Sequence, residues 1–267
     1  MRGKSRMSSL FDLTGKIAIV TGSTKGIGLA IATRMAEHGA TVVISSRKAD
    51  ACEAVAVGIT AAGGKAIVIP CHVGRKEELQ NLVDQTVARC GGIDILVGNA
   101  GVNPYLGPAA AMTDEAFDRV MGINVRSNWW LTNMAIPHMV KRGGGAVIII
   151  SSIGGLRGSG QLGTYGISKA ADMQLARNIA VEWGPKNIRA NAIAPGLVRT
   201  DFARALWEDA ALYRKRTKDT PLQRIGEPDE IAGAAIFLAS AAGSFTTGQT
   251  IVIDGGTTAG SVVSHDD

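Results

Sequence analysis

The chain has 267 residues, of which 46% are hydrophobic and 19% charged, a balance that excludes disordered and fibrous classes and suffices for one large α/β domain with a substantial core. The formal net charge of +5 includes Arg2, Lys4 and Arg6 in a polar N-terminal stretch, so the body is nearly balanced and has no nucleic-acid footprint. No apolar run reaches the roughly 18 residues of a membrane helix and the start lacks a signal-peptide core, so a cytoplasmic protein with no membrane partner is expected. Cys52, Cys71 and Cys90 stand singly, and His38, His72, His138 and His265 form no His-x-x-x-His pattern. Reduced thiols and no metal follow.

Residues 1–14 read as a tail. Ile17 to Val20 is a short apolar strand that runs into Thr21-Gly22-Ser23-Thr24-Lys25-Gly26-Ile27-Gly28, and a helix-patterned stretch continues to His38. In the context strand, glycine loop, helix, glycines let the backbone approach a pyrophosphate, whose charge rests on the helix N-terminus. The spacing Gly-x-x-x-Gly-x-Gly differs from G-x-G-x-x-G, and a glycine turn before a helix also serves packing alone. The second strand, Thr41 to Ser45, ends in Ser46-Arg47-Lys48. An Asp or Glu there would hydrogen-bond the ribose 2′-hydroxyl of NAD. Ser46 does not, whereas Arg47 can grip a 2′-phosphate bidentately and Lys25 can add a point charge. This favours NADP(H); the other reading is a solvated basic turn.

Ala49 to Ala62 reads as a helix, Lys65 to Pro70 as the third strand and Arg75 to Arg89 as another helix. Asp94 to Val97 is the fourth strand, ending in Gly98-Asn99-Ala100-Gly101, whose small residues leave room for a ligand over the strand ends. Asp114 to Lys141 reads as one long helix with Asn124 in its interior and Pro137 near its end. Asn is a poor interior helix residue, so Asn124 either caps a local irregularity or does chemistry.

Ala146 to Ile150, the fifth strand, delivers Ser152 at its end, and Thr164 to Trp183 follows as a helix with Tyr165, Ile167, Ala171, Leu175, Ile179 and Val181 at helix-like spacing. Tyr165 and Lys169, four apart, share a face. A tyrosine titrates near 10, so proton exchange near neutrality asks for a shift of about 3 units, or roughly 4 kcal/mol. A cation about 4 Å away supplies roughly that at an effective dielectric of about 20. Ser152 would hydrogen-bond the same substrate oxygen. Taken alone, the three residues fit an ordinary helix pair and an ordinary cap equally well.

Asn187 to Ala192 is the sixth strand, followed by Ala194-Pro195-Gly196-Leu197-Val198-Arg199-Thr200. Residues 197–222 read as a substrate loop whose Phe202, Trp207 and Tyr213 face a pocket, with Arg204, Arg214, Lys215, Arg216 and Lys218 as its solvated side. A helix over Pro228 to Ala239 leads to the last strand, Thr250 to Ile253, which ends in Asp254-Gly255-Gly256, and 257–267 is a C-terminal tail. The alternation predicts an α/β fold over 15–256: a single Rossmann-type, doubly wound parallel sheet of about seven strands with helices on both faces. The glycine loop, Arg47, Asn99, Ser152 and Pro195-Gly196 all fall at carboxyl ends of strands, where such sheets bind ligands.

These motifs together resemble the short-chain dehydrogenase/reductase family, from about Leu13 to Gly256. Thr21 to Gly28 matches its Thr-Gly-x-x-x-Gly-x-Gly cofactor loop, Asn99-Ala100-Gly101 its Asn-Ala-Gly turn, and Asn124, Ser152, Tyr165 and Lys169 its catalytic tetrad in order and spacing. Pro195-Gly196 matches the turn on the nicotinamide side. The Tyr-x-x-x-Lys spacing is similar to this group rather than to enoyl reductases of similar fold, which place the lysine further on. The resemblance implies that Tyr165 exchanges the proton, Lys169 supports it and holds the nicotinamide ribose, Ser152 polarises the substrate oxygen and Asn124 keeps a relay water. Ile27, Val198 and Thr200 would contact the nicotinamide half. Two departures stand out. Cys71-His72-Val73 replaces the Asp that usually contacts adenine, which leaves His72 and the Val73 backbone for that role, and Gly98 stands where a second Asn is common.

The expected activity is NADP(H)-linked interconversion of a ketone or aldehyde and an alcohol, most similar to carbonyl and retinal reductases of the family. The alternatives are a 3-oxoacyl-thioester reductase and a non-catalytic NADP(H)-binding sensor or scaffold, against which the intact tetrad counts. The family usually forms homotetramers by pairing its two long helices; Trp129 and Trp130 suit such an interface or a core. The terminal Ser264-His265-Asp266-Asp267 is not a peroxisomal signal.

Overall fold

The computed structural model describes residues 10–218 and 220–260; most of the expected tails, including Arg2, Lys4, Arg6 and His265, lie outside them. Seven strands, β1 Ile17–Thr21, β2 Thr41–Ser45, β3 Lys65–Val68, β4 Ile95–Gly98, β5 Gly145–Ile150, β6 Ile188–Pro195 and β7 Thr250–Ile253, form one parallel sheet in the order β3-β2-β1-β4-β5-β6-β7. This is the Rossmann-type, doubly wound α/β sheet that the alternation of strands and helices predicts. The order reverses between β1 and β4, so the carboxyl ends of these two strands flank the crevice where such sheets bind ligands.

The helices are α1 Gly26–Glu37, α2 Ala49–Ala61, α3 Lys76–Cys90, α4 Asp114–Val120, α5 Ser127–Lys141, α6 Gly163–Trp183, α7 Ala210–Lys218 and α8 Pro228–Ala239. Strands covered on both faces read as continuous apolar runs, and alternate residues serve different cores. Ala18 and Val20 of β1 pack with Ile31 and Met35 of α1 and Ile231 and Ile236 of α8. Ile19 packs on the other face with Leu79 of α3, Leu131 of α5 and Met173 of α6. Each fully buried Val, Leu, Ile or Met among them stabilises the fold by about 1.5–3 kcal/mol relative to exposure.

Most expected boundaries hold within one or two residues, and four expectations change. The tail ends earlier than residue 14, because Leu13 is buried and its N–H donates to the His38 carbonyl at 2.8 Å. The long helix Asp114 to Lys141 is three pieces: α4, a π-helical turn over Met121–Arg126, and α5. A π turn accommodates one extra residue inside a helix, while the apolar spacing within each flanking helix continues. The buried stripe of α6 is Thr164, Ser168, Lys169, Asp172, Met173, Ala176, Ile179 and Ala180, whereas Ile167 and Val181 point outward. The apolar spacing therefore marked the wrong face of its first turns, where the buried side is polar. Residues 197–222 are not an open loop: they fold into a 3₁₀ turn over Asp201–Leu206 followed by α7.

Trp129 and Trp130 part company. Trp129 is half exposed, while Trp130 packs against the core of the α3 and α5 face, with Lys76 and Arg126 each 5.9 Å from its ring centre. Among the described residues no helix is long and apolar enough to cross a membrane, and no group of three or more His, Cys, Asp or Glu is arranged to hold a metal ion.

Candidate active site

The glycine loop leaves β1 and is strapped to both neighbouring strands. Asn99, just past β4, donates its side-chain amide to the carbonyls of Thr21 at 2.8 Å and Gly22 at 3.2 Å, while its backbone N–H reaches Thr21 Oγ1. Ser23 is fully buried and its Oγ accepts the Ser45 N–H at 2.8 Å, so this side chain faces into the fold toward β2. Thr24 Oγ1 donates to Ser46 Oγ at 3.1 Å, which draws the loop to the end of β2 and leaves Lys25, Arg47 and Lys48 exposed beside it. A Cβ on Gly28 would collide with the Gly22 carbonyl oxygen and the Asn99 amide, so the first turn of α1 comes flush against the loop. Lys25 caps α1 without a side-chain hydrogen bond. The first-turn N–H groups are thus available to an anion.

His72 and Val73 lie beyond β3. The His72 N–H donates to Glu78 Oε2 at 2.6 Å, and its ring Nδ1 accepts the Gly74 N–H at 3.1 Å. On the other side of the crevice β6 ends in Pro195, and the Gly196 N–H is held by the Ile253 carbonyl of β7 at 2.8 Å. Val198 pairs with Gly226 in an isolated bridge, and the Thr200 methyl lies against Gly26 of the glycine loop. Gly26 and Thr200 therefore meet, although 174 positions separate them in the chain.

Ser152 follows β5 and caps a 3₁₀ turn over Ile153–Gly155, its Oγ accepting the Gly154 N–H at 3.1 Å. A Cβ on Gly155 would sit 2.6 Å from the Ala170 nitrogen, so only glycine lets this turn lie flat against α6 beside Lys169. Tyr165 opens α6, with the Phe202 ring 6.2 Å away and tilted by 37°. Of the other expected pocket aromatics, Trp207 donates its Nε1–H to the Thr200 carbonyl at 3.1 Å under the Arg199 guanidinium, and Tyr213 is on α7. The basic side of α7 is exposed at Arg214, Arg216 and Lys218.

Lys169 is buried. Its Nζ lies 5.8 Å from the Tyr165 ring centre and donates to the Ile150 carbonyl at 2.8 Å and Asp172 Oδ2 at 2.9 Å. Burial opposes the ammonium charge, but Asp172 and Tyr165 outweigh it and Lys169 is raised above the ordinary lysine value. Asp172, fully buried, escaped the sequence reading; its signal is a carboxylate on the face shared by Tyr165 and Lys169.

Asn124 sits fully buried in the π turn. Its Oδ1 accepts the Val102 N–H at 2.8 Å, and its amide donates to the Val102 carbonyl and to Ser168 Oγ, each at 3.0 Å. Its backbone carbonyl accepts Asn128 Nδ2 at 2.8 Å. The irregularity that one reading of Asn124 expects exists, and it lies within reach of Gly101 and Lys169.

The family model described as Enoyl-(Acyl carrier protein) reductase matches residues 22–258. Dehydrogenase/reductase SDR family member 4 of Sus scrofa is 43% identical over 245 residues, covering 92% of this chain and 88% of the relative. Among solved structures, a 7α-hydroxysteroid dehydrogenase complexed with NADH and 7-oxo glycochenodeoxycholic acid superposes with a TM-score of 0.89 at 39% identity, covering 92% of this chain and 95% of that one. A gluconate 5-dehydrogenase from Burkholderia cenocepacia in complex with NADP and tartrate superposes with a TM-score of 0.90 at 36% identity, covering 94% and 98%.

Proposed function

The chain belongs to the short-chain dehydrogenase/reductase family of oxidoreductases, and on that premise we propose that it interconverts a ketone or aldehyde and an alcohol with NADP(H). What supports the reading is that Lys169 Nζ stands 5.8 Å from the Tyr165 ring centre and that a Cβ on Gly154 would meet both Ser152 Oγ and the Tyr165 ring.

When bound, the cofactor would supply a hydride to the carbonyl carbon or accept one from the alcohol carbon. The chain's residues handle the proton. In reduction the Tyr165 hydroxyl passes its proton to the carbonyl oxygen, and in oxidation the phenolate takes it from the alcohol. Ser152 already accepts from Gly154, so its own O–H is the donor it offers to the same oxygen. The Lys169 ammonium attracts the phenolate and has one N–H left for the nicotinamide ribose. Asn124, whose backbone carbonyl accepts Asn128 Nδ2, would keep a relay water. Gly22 to Gly28 and Asn99 to Gly101 would hold the pyrophosphate and the adjoining ribose, with His72 and Val73 at the adenine. Pro195, Gly196, Val198 and Thr200 would line the nicotinamide.

The preference for NADP(H) rests on Lys25, Arg47 and Lys48 around Ser46, which stands at the position where an acid would repel a 2′-phosphate. The exposed Arg214, Arg216 and Lys218 of α7 favour a second reading, a 3-oxoacyl thioester on an acidic carrier. Trp129 of α5 and Ile167 and Val181 of α6, all exposed, support a homotetramer paired through these two helices, which sedimentation at monomer mass would remove. The cytoplasm stays the proposed location, and cell fractionation decides it. Residues 15–256 would act as one domain.

Fluorescence titration with NADPH and NADH, then absorbance decay with ketones, aldehydes and 3-oxoacyl thioesters, tests the assignment. Tight NADPH and weak NADH binding is expected, with turnover of one carbonyl class. Tyr165→Phe should lower kcat by about 10²–10⁴ and leave NADPH binding within about twofold. Surviving turnover would sink the mechanism, and NADPH binding with no turnover of any carbonyl would favour the sensor.

A further inference from the structure

Behind Tyr165 the fold buries a carboxylate. Asp172 is 0% exposed and Lys169 4%. Asp172 Oδ2 takes the Lys169 ammonium at 2.9 Å, and Oδ1 takes Asn128 Nδ2 at 3.0 Å. The same Asn128 Nδ2 donates at 2.8 Å to the carbonyl of Asn124, whose amide in turn reaches Ser168. Two donors therefore converge on residue 172 from two elements, and a carboxylate alone offers an acceptor to each. An asparagine in its place would turn one N–H toward an N–H.

Gly98 belongs to the same arrangement. A Cβ at that position would collide with Asn128 Oδ1. The second Asn that the family resemblance implies there would thus exclude Asn128 from its present place. Gly98, Asn128 and Asp172 form one set, and the departure at Gly98 has a physical reason.

We propose that Asp172 is a positioning residue of the reaction, which, through Oδ2 and with Asn128 seated over Gly98, keeps the Lys169 ammonium charged and held beside Tyr165. The inference rests on the functional reading above. Lys169 is a buried amine, and burial alone would strip its proton. Asp172, with Tyr165 second, reverses that and leaves Lys169 raised. Among the described residues the charged or titratable groups that act on Lys169 are Asp172 and Tyr165, both on α6. What β5, the π turn and α5 present to this cluster is uncharged: the Ile150 carbonyl, Asn124 and Asn128.

The test is Asp172→Asn, read in two ways. First, the thermal midpoint of the cofactor-free variant is compared with wild type from about pH 7 to about pH 10. With the carboxylate gone, burial holds the Lys169 pKa down in the fold while the unfolded chain keeps its proton. The unfolded state then binds more protons, so folding stability rises with pH and the deficit against wild type shrinks. Second, kcat should fall by at least roughly tenfold with KM for the carbonyl within about threefold, and the pH profile of alcohol oxidation should gain a falling alkaline limb as Lys169 loses its proton. A deficit constant with pH together with an oxidation profile that superimposes on wild type would overturn the proposal. Should the variant not fold, Asp172→Ser leaves room for a water between Lys169 and Asn128 and is read the same way. Tyr165→Phe run alongside separates the two claims. If it keeps turnover, the functional reading fails whatever Asp172→Asn does, whereas a dead Tyr165→Phe with an unaffected Asp172→Asn removes only the positioning role.

Discussion

Two sets of cations flank the crevice, and they stand in different media. Lys25, Arg47 and Lys48 form a rim in water at the ends of β1 and β2. Lys169 is buried at the inner end against a buried Asp172. A rim charge costs the fold nothing, acts through a high dielectric and is screened by salt. The inner charge is desolvated, acts strongly and survives only with its counter-ion. The rim is therefore where this architecture can set which ligand binds without touching the fold, while the inner pair ties the proposed chemistry to stability.

The harshest way to break that comparison is Lys169→Met, which strands the Asp172 carboxylate. Removing one partner of a buried pair costs about 3–5 kcal/mol, a fall in Tm of roughly 10 °C for a chain of this length, besides the loss of turnover. Burial already raises Asp172 above the ordinary aspartate value, and without Lys169 nothing charged opposes it. A carboxyl raised in the fold keeps its proton to higher pH than in the unfolded chain, so stability is lost as pH rises through the folded value. The variant should thus come closest to wild type in acid, and calorimetry from about pH 4 to about pH 8 would show a gap that widens with pH. A gap independent of pH would mean that Asp172 is not the group left stranded.

Next in size is the shape of the loop. Gly28→Ala places a methyl on the Gly22 carbonyl and the Asn99 amide, and overpacking of this kind costs about 1–3 kcal/mol. NADPH and NADH binding should weaken together. Arg47→Ala should do the opposite, leaving Tm unchanged and raising the NADPH Kd by roughly tenfold or more, the worth of a hydrogen bond to a charged group, with NADH little affected. In about 1 M salt, where the screening length is about 3 Å, that difference should shrink. An Arg47→Ala variant that lost both cofactors equally would place Arg47 in the loop's structure rather than at a 2′-phosphate.

The sheet was legible because β1, β2 and β5 are buried on both faces, so their apolar runs carry no competing pattern. The rim was legible for a related reason: Arg47 and Lys48 follow a strand end directly, and strand ends locate the crevice. The inner end was less so. The π turn at Met121–Arg126 inserts a residue without disturbing the apolar spacing on either side, so one helix was expected where three pieces occur. In α6, Ile167 and Val181 suggested the buried face, yet the stripe beneath is Thr164, Ser168, Lys169 and Asp172, polar because it is hydrogen-bonded to the π turn and β5. Hydrophobicity cannot report a face buried through polar partners, and Asp172 was missed for that reason.

The mildest probe lies on an exposed ion pair and completes the contrast. Glu230, in the first turn of α8, accepts the Glu227 N–H at 2.8 Å and meets Arg224 through both carboxylate oxygens. Arg224 first and the Glu227 N–H second hold its carboxyl at about 2. Glu230→Gln should cost about 1 kcal/mol at neutral pH, the sum of a modest cap and an exposed pair, or about 2–4 °C in Tm. Because this carboxyl is depressed in the fold, its contribution is present above about 4.5 and fades as pH falls toward about 2, so wild type should converge on the variant in acid. The Lys169→Met gap also narrows in acid, but there the variant recovers toward wild type, whereas here wild type loses what the variant already lacks. Salt separates them again: about 1 M should shrink the Glu230→Gln difference and leave the buried one nearly intact, since ions cannot enter between Lys169 and Asp172.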